Sequence, residues 1–384
     1  MLCTDYDHWQ SNPPELTPPL DQPVGLSAHH KTQSLTTTGS SREAVAHLRG
    51  QMVEQGSDYR DEIGLDLSFW KGVRVVRLCL PPKPWSKYHD PLIEQFCEDF
   101  FAVEAFDRIQ CHCCQLLTAS PLEVARRQGI PYEIVLHDAW WMSVEQFLVT
   151  PSGSLVDPAD PLGHFDHDPT AEEQATALER RGVLYQILAS ADRRIAVSSS
   201  FQALCESAGI ANVDVQENRF ASMAVPSAES SVTPELSEVG TSIRVCHIGG
   251  MSLHKGYQLM RRAVHALPPG LGLVFTVVDH RLASRIEHYT ATWNGYHVRF
   301  IAPIPMAMMS QFYASQDVLI APSIWPESFG LVTREALSAG LWVIASEAGA
   351  LADPIRDSAA PVGTIVPPND LDALVAAIAG LRQS

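Results

Sequence analysis

Three residues have types and spacings suited to chemistry: Glu327 and Glu335, eight apart in the stretch APSIWPESFGLVTREALSAG (321–340), and Lys255 in GGMSLHKG (249–256). Ser315 to Ala321 reads as a short buried parallel strand that ends at Pro322. Ser328 suits the N-cap of the helix that follows, Gly330 falls in its first turn, and Gly340 stops it. A helix start is an anion site, because its first NH groups lack partners and the helix dipole adds positive charge there. Gly330 has no side chain to hold a phosphate away. Glu335, about five residues in, would lie roughly 7 Å further along the axis. A ribose would sit there if a pyrophosphate capped the helix, and a carboxylate accepts hydrogen bonds from a vicinal diol. Phosphate repels the loop residue Glu327, which is better matched to neutral hydroxyls such as those of a sugar. The pattern therefore suits a nucleotide sugar, although two glutamates eight apart also occur on any solvated helix start.

The elements that must position these residues alternate strand and helix. Ser242 to Ile248 reads as a strand running into Gly249 and Gly250, with a helix over Tyr257 to Ala266. Glycines after a strand let backbone close on phosphate, and Lys255 brings charge to the helix start. The spacing and the terminal Ser/Thr of a P-loop are absent. Further strands are expected near 272–278, 297–300, 318–321 and 342–346, and a helix from Asp370 to Leu381. Upstream, the pattern predicts a helix at 41–55 and a strand at 72–80. A helix at 90–106, a strand at 107–111, a helix at 120–128 and a strand at 131–136 follow, and the alternation continues through 185–208. The acidic stretch 151–182 interrupts it as a long loop.

His137 stands at the carboxyl end of the strand 131–136, where open αβ sheets bind ligands, and is followed by Asp138, Trp140 and Trp141. The tryptophans suit either stacking on a sugar acceptor or packing at a domain interface. Cys111-His112-Cys113-Cys114 does not suit zinc, because successive strand residues face opposite sides. His164 to Asp168 reads as a solvated acidic loop.

At 384 residues, 46% hydrophobic and 18% charged, the chain has room for two well-buried cores. Its formal charge of −17 argues against nucleic acid and against broad adsorption on anionic membrane, leaving only local peripheral association. Met1 to Asp7 has neither the basic start nor the apolar core of a signal peptide, and no apolar run reaches the ~18 residues of a membrane span. Cys79, Cys113, Cys205 and Cys246 lie in apolar segments, as reduced thiols do, which implies a cytoplasmic location. The expected organisation is a mobile N-terminal arm at 1–40, an αβ domain at 41–225, a linker at 226–241 and a second αβ domain at 242–384.

The segment from Pro326 through Glu335 to Gly340 with its following strand, together with the Gly249 to Gly256 loop, resembles the donor-site signature of retaining glycosyltransferases of the GT-B fold, family 4 in particular. The resemblance covers about 240–370 well and 105–225 less closely, and it fails at both ends of the chain. It implies two Rossmann-like parallel-sheet domains facing a cleft, with the acceptor side in the first and the nucleotide sugar in the second. It further implies transfer of a hexose, from a UDP-type donor, to a hydroxyl of a sugar or glycan with retention, without metal or cofactor. In those terms Glu327, His137 and Lys255 are the catalytic group. Gly249, Gly250, Lys255, Ser328, Phe329, Gly330, Leu331 and Glu335 hold the donor, while His112, Asp138, Trp140, Trp141 and Arg219 line the cleft or acceptor side. Glu335 would hold the ribose, Lys255 with the NH groups of Gly330 and Leu331 the pyrophosphate, and Glu327 and His137 the sugar hydroxyls. One position departs from the family: Gly250 stands where its members carry an arginine for the pyrophosphate. Either Lys255 supplies the charge alone or Arg219 reaches in. Two rival readings stay open: another GT-B activity, such as an epimerase or phosphorylase, and a non-catalytic nucleotide-sugar-binding scaffold.

Overall fold

The computed structural model describes residues 2–4, 64–70, 73–80, 84, 86–220, 223, 242–282 and 288–382. The expected helix at 41–55, the linker at 226–241 and all of the arm at 1–40 except residues 2–4 lie outside them. The chain divides into two compact units. One comprises Met1–Val144, Pro169–Ile195 and Gly209–Asp214; the other comprises Glu145–Asp168, Ala196–Ala208 and Val215–Ser384.

The first unit holds a three-stranded sheet of β1 (Leu2–Thr4), β2 (Gly64–Trp70) and β3 (Val73–Cys79) in the order β1-β3-β2, with β1 parallel and β2 antiparallel to β3. Helix α1 (Pro91–Val103) starts where Asp90 accepts from the NH groups of Leu92 and Ile93, and it buries Ile93, Phe96, Phe100 and Phe101. Strand β4 (Ile109–Cys111), helix α2 (Ser120–Gln128) and strand β5 (Tyr132–Leu136) follow. β5 is buried along its whole length, as a parallel strand covered on both faces must be. Helix α3 (Ala171–Ser190), β6 (Arg193–Ala196) and β7 (Val213–Val215) complete a sheet of order β4-β5-β6-β7, and helix α4 (Ser199–Ser207), between β6 and β7 in the chain, belongs to the second unit.

Residues 171–182, expected within a loop, are the first half of α3. The Thr170 hydroxyl accepts from the Glu173 NH, and the Glu173 carboxylate accepts from the Thr170 NH. That capping box starts the helix, while the few apolar residues of its first turns hide the helical period. Preceding it, residues 145–168 fold on their own polar groups: Asp166 accepts from both the NH and the hydroxyl of Ser152 at 2.9 and 2.6 Å.

Among the described residues the second unit's sheet has seven strands: β8 (Ile243–His247), β9 (Leu273–Val278), β10 (His288–Trp293), β11 (Tyr296–Ile301), β12 (Val318–Ala321), β13 (Trp342–Ser346) and β14 (Gly363–Val366). Their order is β10-β11-β9-β8-β12-β13-β14; all pairs are parallel except the edge hairpin β10–β11. Helices α5 (Tyr257–Ala266), α6 (Met309–Ala314), α7 (Leu331–Ser338), α8 (Asp353–Arg356) and α9 (Leu371–Ala379) complete it. Leaving β10 aside, this is the doubly wound order whose direction of growth reverses between its first and fourth strands, here β8 and β12. A crevice opens at such a reversal, and the loops after β8 and β12 carry Lys255 and Glu327. Among the described residues no helix is long and apolar enough to cross a membrane.

Candidate active site

Between the ends of β8 and β12 lies a cavity of about 220 Å³, lined by His247, Gly249, Lys255, His280, Ser323 and Glu327 on its polar side and by Ile320, Val332 and Leu351 among its apolar walls. β8 and β12 pair over only Val245 and Cys246. Beyond them the Ile320 carbonyl lies 3.0 Å from Nδ1 of the buried His247 ring, so a side chain takes the place of the next rung.

Both loops are held by their backbones. The His254 carbonyl lies within hydrogen-bond distance of the Ser323 hydroxyl and the NH groups of Ile324 and Trp325. Gly256 sits at φ 73° with the Pro322 carbonyl oxygen 1.8 Å from where a Cβ would be. The Glu327 NH donates to the Ala348 carbonyl at 3.2 Å, and the Glu327 carbonyl accepts from Ala350 at 2.8 Å. The intervening Gly349, at φ 59°, has no room for a side chain against that backbone. Gly256→Ala is therefore expected to cost about 3–5 kcal/mol, against about 1 kcal/mol for Gly270→Ala, where φ is also positive but no atom lies within 4 Å. Chemical denaturation of the two variants measures the difference.

With the loops fixed, Lys255 Nζ lies 2.7 and 2.9 Å from the two oxygens of Glu327, and the Ser323 hydroxyl donates to the same carboxylate at 2.9 Å. Glu327 is 7% exposed. Sequence reasoning sends Lys255 to phosphate and Glu327 to sugar; the structure brings the two together as an ion pair, 72 residues apart. Ser323 and Gly349 escape that reasoning, because neither has a local signal beyond lying in a loop.

Helix α7 starts at Leu331, with Gly330 as its cap at φ 71° and no side-chain cap. Ser328 is therefore not the N-cap, and Gly330 precedes the first turn; the left-handed cap conformation favours a glycine and leaves no role for a serine hydroxyl. The Ser328 carbonyl instead accepts from Ser198 at 2.6 Å. Phe329 is buried beneath the Arg334 guanidinium, 3.9 Å from its ring centre. Leu331 is exposed at the helix start. Glu335, one turn on, is buried and accepts from the Tyr313 hydroxyl at 3.0 Å through one oxygen. Its other oxygen has no partner among the described residues. Burial pushes the Glu335 carboxyl above its usual range, against the pull of the Tyr313 bond. Arg219 is exposed and does not line the cavity.

In the first unit, β4 and β5 end on His112 and His137. His112 Nδ1 lies 3.0 Å from His137 Nε2, and the Gln110 amide oxygen is 2.8 Å from His112 Nε2. His112 also borders a cavity of about 560 Å³ with the apolar walls Phe100, Phe101 and Phe106. Burial, then the His112 charge, pushes His137 down to about 4. A histidine whose folded value lies below its ordinary 6.5 stabilises fully above 6.5 and loses that stability as pH falls toward 4. Between pH 7 and 4, His137→Gln is thus expected to remove up to about 3 kcal/mol of the acid-dependent part of unfolding, measured by urea titration.

The tryptophans are core residues of the first unit, not an acceptor platform. Trp140 and Trp141 are 1% and 4% exposed, and Arg180 lies 5.0 Å above the Trp140 ring and donates to the Trp140 carbonyl at 2.5 Å. Asp138 caps their short 3₁₀ turn through the Trp140 NH and accepts from Gln115 at 2.7 Å. Cys113, expected buried, is exposed, while Cys205 and Cys246 are buried. Among the described residues no cluster of His, Cys, Asp or Glu has metal-holding geometry.

Residues 233–383 match the family model described as Glycosyl transferases group 1. That match lies in the second unit and covers less than half of the chain. Among curated relatives, the D-inositol 3-phosphate glycosyltransferase 2 of Catenulispora acidiphila is 35% identical over 119 residues, 31% of this chain and 26% of the relative. The phosphatidyl-myo-inositol mannosyltransferase of Mycolicibacterium smegmatis is 38% identical over 87 residues, 23% of this chain and 22% of the relative. The matched region thus spans about a quarter of each relative's length. In fold, the chain is similar to the sucrose-phosphate synthase of Thermosynechococcus elongatus, with TM-score 0.57 and 18% identity over 89% of this chain and 84% of that one. Anabaena HepE in complex with UDP gives TM-score 0.53 and 20% identity over 80% and 76%. The chain has the GT-B fold, two Rossmann-like αβ domains.

Proposed function

We propose that this protein is a group 1 glycosyl transferase that moves a hexose from a nucleoside diphosphate sugar, UDP-linked, to a hydroxyl of a sugar or glycan acceptor, with retention at the anomeric carbon and without a metal ion. The observation that carries this is the Lys255–Glu327 pair in the cavity where β8 and β12 part, with the start of α7 and the buried Glu335 close by in sequence. Glu335 accepts from the ribose diol. The NH groups of Gly330 and Leu331, with Lys255, receive the diphosphate. Glu327 turns to the sugar hydroxyls as Lys255 is drawn to phosphate. No strong base is needed in this scheme: rate comes from holding the sugar and stabilising charge on the departing diphosphate. His137 and His112, with the cavity beside His112, mark the acceptor side in the first unit, and the enzyme works in the cytoplasm. UDP is favoured because HepE, of similar fold, binds it.

A thermal-shift screen of nucleotides and nucleotide sugars tests the donor, since a ligand at 100 times its dissociation constant adds about 2.7 kcal/mol. Transfer to added acceptors, with the product anomer read by NMR, tests the reaction. An inverted product ends the retaining proposal. A second reading, a nucleotide-sugar-binding scaffold, is favoured by Gly250 and by the neutralisation of Lys255 within its own pair. It predicts stabilisation by UDP with no transfer to any acceptor.

A further inference from the structure

The cavity at the end of β8 and β12 has an electrostatic deficit if it receives a diphosphate. Of its lining residues, Lys255 brings one positive charge and Glu327 one negative, bonded to each other. Position 250 contributes no side chain. The remaining titratable groups on the wall are two histidines, His247 and His280.

Both flank Gly250. His247 Nε2 lies 3.0 Å from the Gly250 carbonyl, and its Nδ1 lies 3.0 Å from the Ile320 carbonyl. A neutral imidazole donates from one nitrogen only, so either neutral tautomer sets a lone pair against a carbonyl oxygen. Only the imidazolium donates to both. On the other side, a Cβ on Gly250 would lie 2.4 Å from His280 Cδ2, so the His280 ring occupies the space a side chain at 250 would fill. His280 itself is exposed at the end of β9 and has no hydrogen-bond partner among the described residues.

We propose that His247 and His280 form the protonatable cation of this cavity, and that binding of a nucleoside diphosphate sugar draws a proton onto the pair. This rests on the donor-site reading above. The other charged and titratable groups nearby are Lys255 from the loop after β8, Tyr257 from α5, Glu327 from the loop after β12, and Asp279 and Arg281 beside His280. Asp279 is engaged by the Arg281 NH and the Tyr289 hydroxyl. In the empty cavity, burial first, then Lys255 and His280, hold the His247 proton below its usual affinity, while the two carbonyls oppose them. An arriving diphosphate reverses that balance, because it favours the charged form of both rings.

UDP-glucose is the probe, since its diphosphate diester does not titrate near neutrality. Calorimetry at about pH 6 to 8.5 in buffers of different ionisation enthalpy reads the protons taken up on binding, and the dissociation constant should rise by up to about tenfold per pH unit across the histidine range. His280→Asn, at an exposed position, should lower the uptake and flatten the profile while the melting temperature holds. Should a His247 variant fail to fold, ring ¹⁵N spectra of the saturated wild type read that residue directly, with both nitrogens expected to be protonated. Binding without proton uptake, a neutral His247 in the complex, or uptake unchanged in His280→Asn would each overturn the proposal while leaving the donor site intact. Failure of both UDP-glucose and UDP to bind at any pH overturns the donor reading and this inference with it.

Discussion

Alanine at Lys255 is expected to lower kcat by about a hundredfold to a thousandfold while the dissociation constant of the nucleotide moves less than tenfold. A fixed donor aimed at charge that develops in the transition state contributes on that scale, about 2.7–4 kcal/mol, because the ground state carries less of the charge it answers. The reaction transfers charge onto the departing diphosphate, and Lys255 Nζ is the cationic group already in the cavity. The same substitution strips Glu327, 7% exposed, of both its bonds to the lysine and leaves it only the Ser323 hydroxyl. Removing one partner of a buried pair costs stability by itself, so Lys255→Ala should also melt earlier. Adding Glu327→Gln removes the orphaned charge. The double variant should regain stability without regaining turnover, which separates the two roles. If the double variant recovers activity along with stability, Lys255 acts only as a structural counter-ion.

Glu335→Ala is expected to weaken UDP binding by about tenfold to a hundredfold, with kcat at saturating donor changed by no more than severalfold. A carboxylate accepting from a diol contributes about 1.5–3 kcal/mol, and ribose contacts are the same in the ground and transition states, so the loss falls on binding. Tyr313 holds one carboxylate oxygen at 3.0 Å and leaves the other open. Tyr313→Phe should therefore weaken binding less than Glu335→Ala. A cycle with the 2′-deoxy nucleotide makes the assignment specific: the deoxy ligand should bind less well to the wild type, yet show little further loss in Glu335→Ala. Equal UDP affinity in wild type and Glu335→Ala rules out the ribose contact.

Much of the second unit was legible residue by residue. Helix α5 and the strands β12 and β13 fall where apolar periodicity and the flanking glycines and proline put them. Apolar periodicity does not mark strands β10 and β14. The first is an antiparallel edge strand whose residues are mostly exposed, and the second has four residues, so neither writes a strong apolar pattern. Over 171–182 the polar first turns of α3 conceal its period, and Thr170 with Glu173 carries the better signal. Trp140 and Trp141 show the opposite limit: their types fit a sugar platform or packing at an interface equally well, and only the burial of both rings, with Arg180 over Trp140, shows that they are packed inside the first unit.

The glutamates, the lysine and the glycines of the candidate site were identifiable from sequence because each sits beside a strand end or helix start encoded within a few residues. Tertiary structure alone decided that β8 and β12 are neighbours, that Lys255 meets Glu327, that Tyr313 meets Glu335, and that His280 lies against Gly250. Caps, turns and periodicity arise from interactions over one or two turns of chain, so a sequence displays them directly. Strand order and the pairing of side chains across 72 or 22 positions depend on how the whole core packs, and no local stretch contains that information.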